Sequence, residues 1–191
     1  MMKFNCIDEI NAYYSSLLEY YDYSFVLGNG RENRPKLFFV GEAPGKDEEL
    51  QGLPFVGKAG KELSGFLETL ELTREEIYIT NAVKFRPFKL SERGTKSNRT
   101  PDELEISDFS PWIKEEIAFI KPKIVVSLGN TPLKSLLGNN PGIGRLHGRM
   151  QEYNEDTSIF PLYHPAALIY KPELRHTMEE DVALLKSFIE I

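Results

Sequence analysis

The sequence holds one cysteine, Cys6, among 191 residues. A lone thiol cannot close a disulfide within the chain, nor assemble a Cys-based zinc or iron–sulfur site. Histidine is almost as sparse: His147, His164 and His176 show no close metal-ligand spacing. No metal is expected. No apolar run approaches the ~18 residues of a membrane span. The opening stretch, MMKFNCIDEINAYY, lacks both the apolar core of a secretory signal and the Arg-rich, acid-poor character of a transit peptide. Internal repeats, low-complexity tracts and interdomain linkers are also missing. These absences predict a cytoplasmic monomer with no membrane contact. They further predict a single domain over 1–191, with 1–36 as a helix and loop packing on it.

What is present is ordinary for a globular protein. A hydrophobic fraction of 41% and a charged fraction of 27% argue against wholesale disorder. A chain of this size buries roughly 70% of its unfolded surface, enough for a full core. The net charge of −6 weighs weakly against nucleic acid, but it is an average. Lys84, Arg86, Lys89, Arg93, Lys96 and Arg99 face only Glu92 in the window 84–99, a net of +5. A basic loop on an acidic body can meet a phosphate backbone at one place.

Hydrophobic periodicity predicts an amphipathic helix over 7–23 and a loop over 28–36. Leu37–Val40, Ile77–Val83, Ile124–Leu128 and Ile159–Tyr163 are short apolar runs of buried-strand type, and Met150–Tyr153 is a further short strand. Residues 42–59 hold too much Gly and Pro for one regular element. Helices are predicted over 60–70, from the Thr100-Pro101-Asp102-Glu103 start signal to Phe119, over Thr131–Leu137, and over Leu174–Ile189. Thr73 and Glu76 make a capping-box pattern before the second strand. Strands alternating with helices imply a parallel sheet covered on both faces, so a ligand belongs beyond the carboxyl ends of the strands. Those ends carry Gly41-Glu42-Ala43-Pro44-Gly45, Asn81, Gly129-Asn130 and His164-Pro165.

The chemistry of these residues is suggestive as a set. An Asn carboxamide such as that of Asn81 can pair with the N3–H and O4 edge of uracil, a pattern cytosine reverses. Phe55 could stack on a base, and His164 could donate to a carbonyl that gains charge as a base departs. Glu42, Asp47, Glu48 and Glu49 could orient water or stabilise an oxocarbenium-like sugar. Gly52–Ala59 is a near miss to a phosphate-binding loop. It ends in Ala59 where Ser or Thr is needed, and it does not open from a strand.

Motif order makes the pattern specific. Gly41-Glu-Ala-Pro-Gly45, Asp47-Glu48-Glu49, Pro54-Phe-Val-Gly57 and Ala59-Gly60 are followed by Asn81-Ala-Val-Lys84, Arg86-Pro87, Asn98-Arg99 and Pro101. Pro122-Lys123-Ile-Val-Val-Ser-Leu-Gly129 and His164-Pro-Ala-Ala167 complete the series. From about Leu37 onward the chain resembles the uracil-DNA glycosylase superfamily, most closely its family 4. The resemblance implies a three-layer α/β/α sandwich with a central four-stranded parallel sheet, and N-glycosidic cleavage of uracil from single- or double-stranded DNA to leave an abasic site. It implies catalytic roles for Glu42, Glu48 and His164, and uracil contacts from Gly41, Ala43, Phe55 and Asn81. It places Lys84, Arg86 and Arg99 on DNA, and Leu168 as a wedge in the vacated base stack.

The chain also departs from that pattern. Family 4 members typically hold an iron–sulfur cluster on four cysteines. Here two of those positions are Phe85 and Phe109, and the N-terminal pair is missing. The cluster is therefore expected to be absent, with Phe85 and Phe109 packed together in its place. Ala43 stands where the best-known branch has a water-activating Asp, which shifts that role to Glu42 or Glu48. Gly45 replaces a Tyr that blocks the thymine methyl, leaving that space open unless another side chain fills it. The segment 89–98 has no histidine, so a covalent bond to DNA is not expected. His147 is expected at a turn near the substrate and His176 on the surface. Two other readings remain open: a binding module that has lost catalysis, and an enzyme acting on another damaged base or a free nucleotide.

Overall fold

A computed structural model describes residues 3–139 and 142–189. Its centre is the run of four apolar segments anticipated as strands. They form β2 (Phe38–Gly41), β3 (Tyr78–Asn81), β6 (Ile124–Leu128) and β8 (Ser158–Leu162), all parallel, in the spatial order β3-β2-β6-β8. Two-residue antiparallel edge strands extend the sheet to six: β1 (Asn29–Gly30) beside β3, and β7 (Gln151–Glu152) beside β8. β1 lies in a segment whose composition reads as loop. A two-residue edge has no periodicity to detect.

Alternation along the strands divides the core in two. Phe38, Val40, Tyr78, Val125 and Ile159 face α1 (Ile7–Leu17), α4 (Glu103–Ile120) and α5 (Asn130–Leu137). Leu37, Phe39, Ile77, Ile79, Val126 and Phe160 face α3 (Lys58–Thr69) and α8 (Arg175–Ile189). This is the three-layer arrangement expected. Trp112 of α4, wholly buried, donates from Nε1 to Asn11 Oδ1 at 3.1 Å and ties α1 to the layer.

Several boundaries differ from the periodicity. α1 ends at Leu17, and a 3-10 turn over Glu19–Tyr21 leads to Asp22 at φ 51°. α4 is capped by Asp102, not Thr100. Asp102 Oδ1 accepts from Glu105 N at 2.9 Å while Glu105 Oε2 accepts from Asp102 N at 2.8 Å, which satisfies two otherwise orphaned donors. Within 42–59 the chain forms α2 (Lys46–Gln51), stopped by Gly52 at φ +67°. The basic loop contains a hairpin of β4 (Phe88–Leu90) and β5 (Lys96–Asn98). Its strands are short and largely exposed, so no apolar alternation announces them. The remaining short helices are α6 (Ile143–Leu146) and α7 (Ala167–Tyr170).

Phe85 and Phe109 do pack together. Their centroids are 5.6 Å apart, and both are 1% exposed or less. Tyr21 touches both rings, Tyr23 stacks on Phe85 at 4.7 Å and 12°, and Phe25 meets Phe109 edge-on at 5.7 Å. Tyr20 and Tyr21 donate to Asp108 Oδ2 at 2.7 and 2.9 Å. The segment after α1 is thus pinned by rings to the base of the hairpin and to α4.

Candidate active site

β2 is followed by a crossover to β3 on one side, while β6 leads to β8 on the other. The sheet therefore switches direction between β2 and β6, and a crevice opens beyond their carboxyl ends. A cavity of about 600 Å³ occupies this end of the sheet. Its lining brings together Glu42, Ala43, Gly45, Glu48, Phe55, Asn81, Asn98, Arg99, His164, Ile169 and Tyr170. Stretches distant in sequence meet there: the segments that follow β2 and β8, the last residue of β3, the Phe55 loop and the end of the hairpin.

The floor is tight. A Cβ on Gly41 would lie 2.5 Å from Asn81 Oδ1 and 2.6 Å from the Phe55 ring, so only glycine lets both side chains close on this point. Asn81, paired in register with Gly41, is 2% exposed. Its carboxamide has no hydrogen bond among the described residues and borders the cavity, where its acceptor and donors are free to meet a ligand. Phe55 adopts φ +55°, a left-handed backbone that is rare for an aromatic residue. Arg74 holds it there, its guanidinium donating to the Phe55 carbonyl at 2.6 Å and to the Pro54 carbonyl at 3.4 Å. Burial pushes the Arg74 pKa down. Gly60 completes the clasp, since a Cβ there would fall 2.0 Å from the same Phe55 oxygen.

Across the cavity, the His164 ring lies 6.1 Å from that of Phe55. Burial lowers the His164 pKa from 6.5 to about 4, so the imidazole is neutral near pH 7. Ala166 N donates to Nδ1 at 3.1 Å, which fixes Nδ1 as the acceptor and puts the ring proton on Nε2. Gly129, at φ +92°, leaves room for this residue; a Cβ would stand 3.2 Å from that of His164.

The two carboxylates differ. Glu42 follows β2 and accepts from Thr131 Oγ1 of α5 at 2.7 Å, a bond that spans the crevice between β2 and β6. Burial raises the Glu42 pKa, and the Thr131 bond opposes the rise. Glu48 is instead taken up by backbone. Oε1 accepts from Val56 N at 3.1 Å and Gly57 N at 2.8 Å, and Oε2 accepts from Gly45 N at 3.1 Å. It clamps the Phe55 loop to the start of α2. Its carboxylate and the Asn98 amide also fill the space beside Gly45, at 2.7 and 3.5 Å from a Cβ placed there.

The expected DNA grip needs correction. Lys84 is wholly buried, its ammonium bonded to Glu116 Oε2 at 2.7 Å and to Thr80 Oγ1, so it cannot reach a phosphate. Arg86 is 6% exposed and braces the hairpin against α2, donating to Asn98 Oδ1 at 2.7 Å and Glu49 Oε2 at 3.0 Å. Arg99 lines the cavity but makes a bidentate pair with Glu105 at 2.5 and 2.7 Å. Leu168 is 3% exposed and belongs to the core under α3 and α8, so it cannot serve as a wedge. His147 lies outside the cavity lining and binds Asp181 Oδ2 at 2.7 Å. His176 is at the surface as expected. Thr131 and Arg74 went unread in the sequence because their roles depend on contacts with residues 89 and 19 positions away.

Residues 27–186 match the family described as the Uracil DNA glycosylase superfamily, and the chain belongs to it. It is 43% identical over 160 residues to the type-4 uracil-DNA glycosylase of Sulfurisphaera tokodaii, covering 78% of this chain and 69% of that one. It is 35% identical over 165 residues to the type-4 enzyme of Archaeoglobus fulgidus, covering 83% and 78%. The crystal structure of Pedobacter heparinus SMUG2 shares the fold, with a TM-score of 0.58 at 15% identity, covering 83% of this chain and 78% of that one.

The residues do not fit an iron–sulfur cluster. The sequence has one thiol, and Phe85 and Phe109, where the resemblance expects cluster cysteines, are rings in the aromatic core. Among the described residues, no group of three or more His, Cys, Asp and Glu side chains is placed to hold a metal ion. No helix among them is long and apolar enough to cross a membrane.

Proposed function

We propose that the protein removes uracil from DNA by hydrolysing its N-glycosidic bond, leaving an abasic site, and does so as a cluster-free, single-domain cytoplasmic monomer. The observation that carries the reading is the unpartnered Asn81 carboxamide beside the Phe55 ring, with a neutral His164 across the cavity. An extruded uracil stacks on Phe55, and Asn81 accepts from its N3–H while donating to O4. As the C1′–N1 bond breaks, its electron pair passes to the base and charge gathers on O2. The His164 Nε2–H donates to that oxygen without having to lose solvation at the moment of reaction. Glu42, ionised and oriented by Thr131, faces the cationic sugar and takes the proton of the water that adds to C1′. Glu48 positions the loop that carries Phe55. Packing of Phe85 against Phe109 supports a hairpin anchored without four thiolates.

A single-turnover assay with protein in excess tests this, using single- and double-stranded DNA bearing one uracil and alkali to reveal abasic sites. Cleavage is expected in both strand contexts, and Asn81→Ala and His164→Ala should each reduce it by about 100-fold or more, the scale of losing one preorganised donor. Full activity in both variants overturns the site. No cleavage by folded wild-type protein overturns the function.

A further inference from the structure

We propose that Ile169 and Tyr170 form the edge that enters the base stack, with Tyr170 stacking on a base exposed when a nucleotide leaves the duplex. The proposal rests on the glycosylase reading and assigns the role that Leu168 cannot fill. α7 is a single turn, tied back by Ala167 N to the His164 carbonyl at 2.8 Å and by Lys171 N to the Ala167 carbonyl at 2.8 Å. Leu168 sinks into the core and fixes the turn. Successive helical residues are rotated by about 100°, so anchoring Leu168 inward turns its two successors outward. Ile169 is 42% exposed and Tyr170 82% exposed, and both line the mouth of the cavity that holds His164.

Tyr170 differs from the other exposed tyrosines. Tyr20 rests on Tyr21 at 4.8 Å and Tyr23 stacks on Phe85 at 4.7 Å. Tyr170 has no ring contact and no side-chain hydrogen bond among the described residues. A large aromatic face left bare beside the cavity suits a flat, apolar partner reached at the same time as the cavity. A duplex from which one nucleotide has swung into the cavity offers such a partner that a single strand lacks, the face of the orphaned base on the opposite strand. The exposed Lys171 follows at once and can meet the adjoining phosphate.

The test compares single-turnover uracil release from duplex and single-stranded DNA. Tyr170→Ala is expected to slow the duplex reaction about tenfold, the scale of one lost base–aromatic stack, and to leave the single-strand rate within about twofold. Tyr170→Phe should restore the duplex rate, because the stack needs the ring and not the hydroxyl. Equal losses on both substrates, or none on either, overturn the proposal. Should the wild-type protein release no uracil from either, the glycosylase reading fails and binding decides the tip separately. The probe is then duplex DNA with 2-aminopurine opposite an abasic site. Quenching by the wild type that disappears in Tyr170→Ala supports the proposal, and identical fluorescence overturns it.

Discussion

Thr131 is a single hydroxyl, yet it sits where two halves of the sheet part and bonds Glu42, a cavity carboxylate whose oxygens, unlike those of Glu48, are not taken up by backbone. Hydrogen bonding to an ionised carboxylate favours the charged form. Burial pushes the Glu42 pKa above its ordinary value, and Thr131 pulls it back. In the proposed mechanism Glu42 is ionised, so activity should fall on the acid side as Glu42 gains a proton. Thr131→Val removes the counterweight, raises the Glu42 pKa further, and should move that acid limb to higher pH. Thr131→Ser should restore it. His164 does not confuse the measurement near neutrality, since it protonates only near pH 4. A pH–rate profile that shifts in Thr131→Val but not in Thr131→Ser is the expected outcome. An unshifted profile would show that Glu42 does not titrate in the reaction. Such residue-scale detail is the least legible in sequence. Asn81 and His164 could be found because they end strands, but Thr131 and Arg74 act through contacts that only folding creates.

At the scale of elements, the strands and most helices were readable because their burial pattern is local. The failures cluster where tertiary contacts overrule composition. Lys84 is the clearest case: in a basic segment it reads as a phosphate contact, yet the run of β3 carries it inward onto α4. There Lys84 and Glu116 are both fully buried, with Tyr78 and Thr80 hydrogen-bonded to the pair. Burial drives Lys84 downward in pKa and Glu116 upward, and each charge opposes the effect on the other. Lys84→Met strands a carboxylate in the core and should destabilise the fold by about 3–5 kcal/mol, whereas pairing it with Glu116→Leu should recover most of that loss. Denaturant unfolding of the two single variants and the double variant measures this. If Lys84→Met were nearly neutral in stability while weakening DNA binding, the side chain would face solvent and the buried pair would be wrong. The aromatic cluster teaches the same lesson from the other side. Two phenylalanines separated by 24 positions in the sequence, Phe85 and Phe109, could be paired by expectation only because a resemblance placed both at one site.

Over the whole molecule, the alternation of strands and helices was enough to predict which edge of the sheet holds the site. The strand order, with its switch between β2 and β6, explains why Glu42 and Thr131 meet there. Charge is arranged at this scale too. The chain carries −6 overall, and three of its six clustered cations are spent on internal pairs: Lys84, Arg86 and Arg99. Lys89, Arg93 and Lys96 remain on the exposed hairpin with no ion pair among the described residues. The hairpin is therefore the part of the basic segment able to displace counterions from DNA. Each phosphate contact contributes about 0.7–0.9 to the slope of log affinity against log salt, so changing all three residues to Gln should reduce the slope by about 2. Titrating labelled single- and double-stranded DNA at several salt concentrations reads this directly. Because the hairpin is exposed, the variant should unfold at the same denaturant concentration as the wild type. A slope that does not change would place the phosphate contacts elsewhere, with Lys46 and Lys58 of the cavity lining and the exposed Lys171 after Tyr170 the next cations to replace.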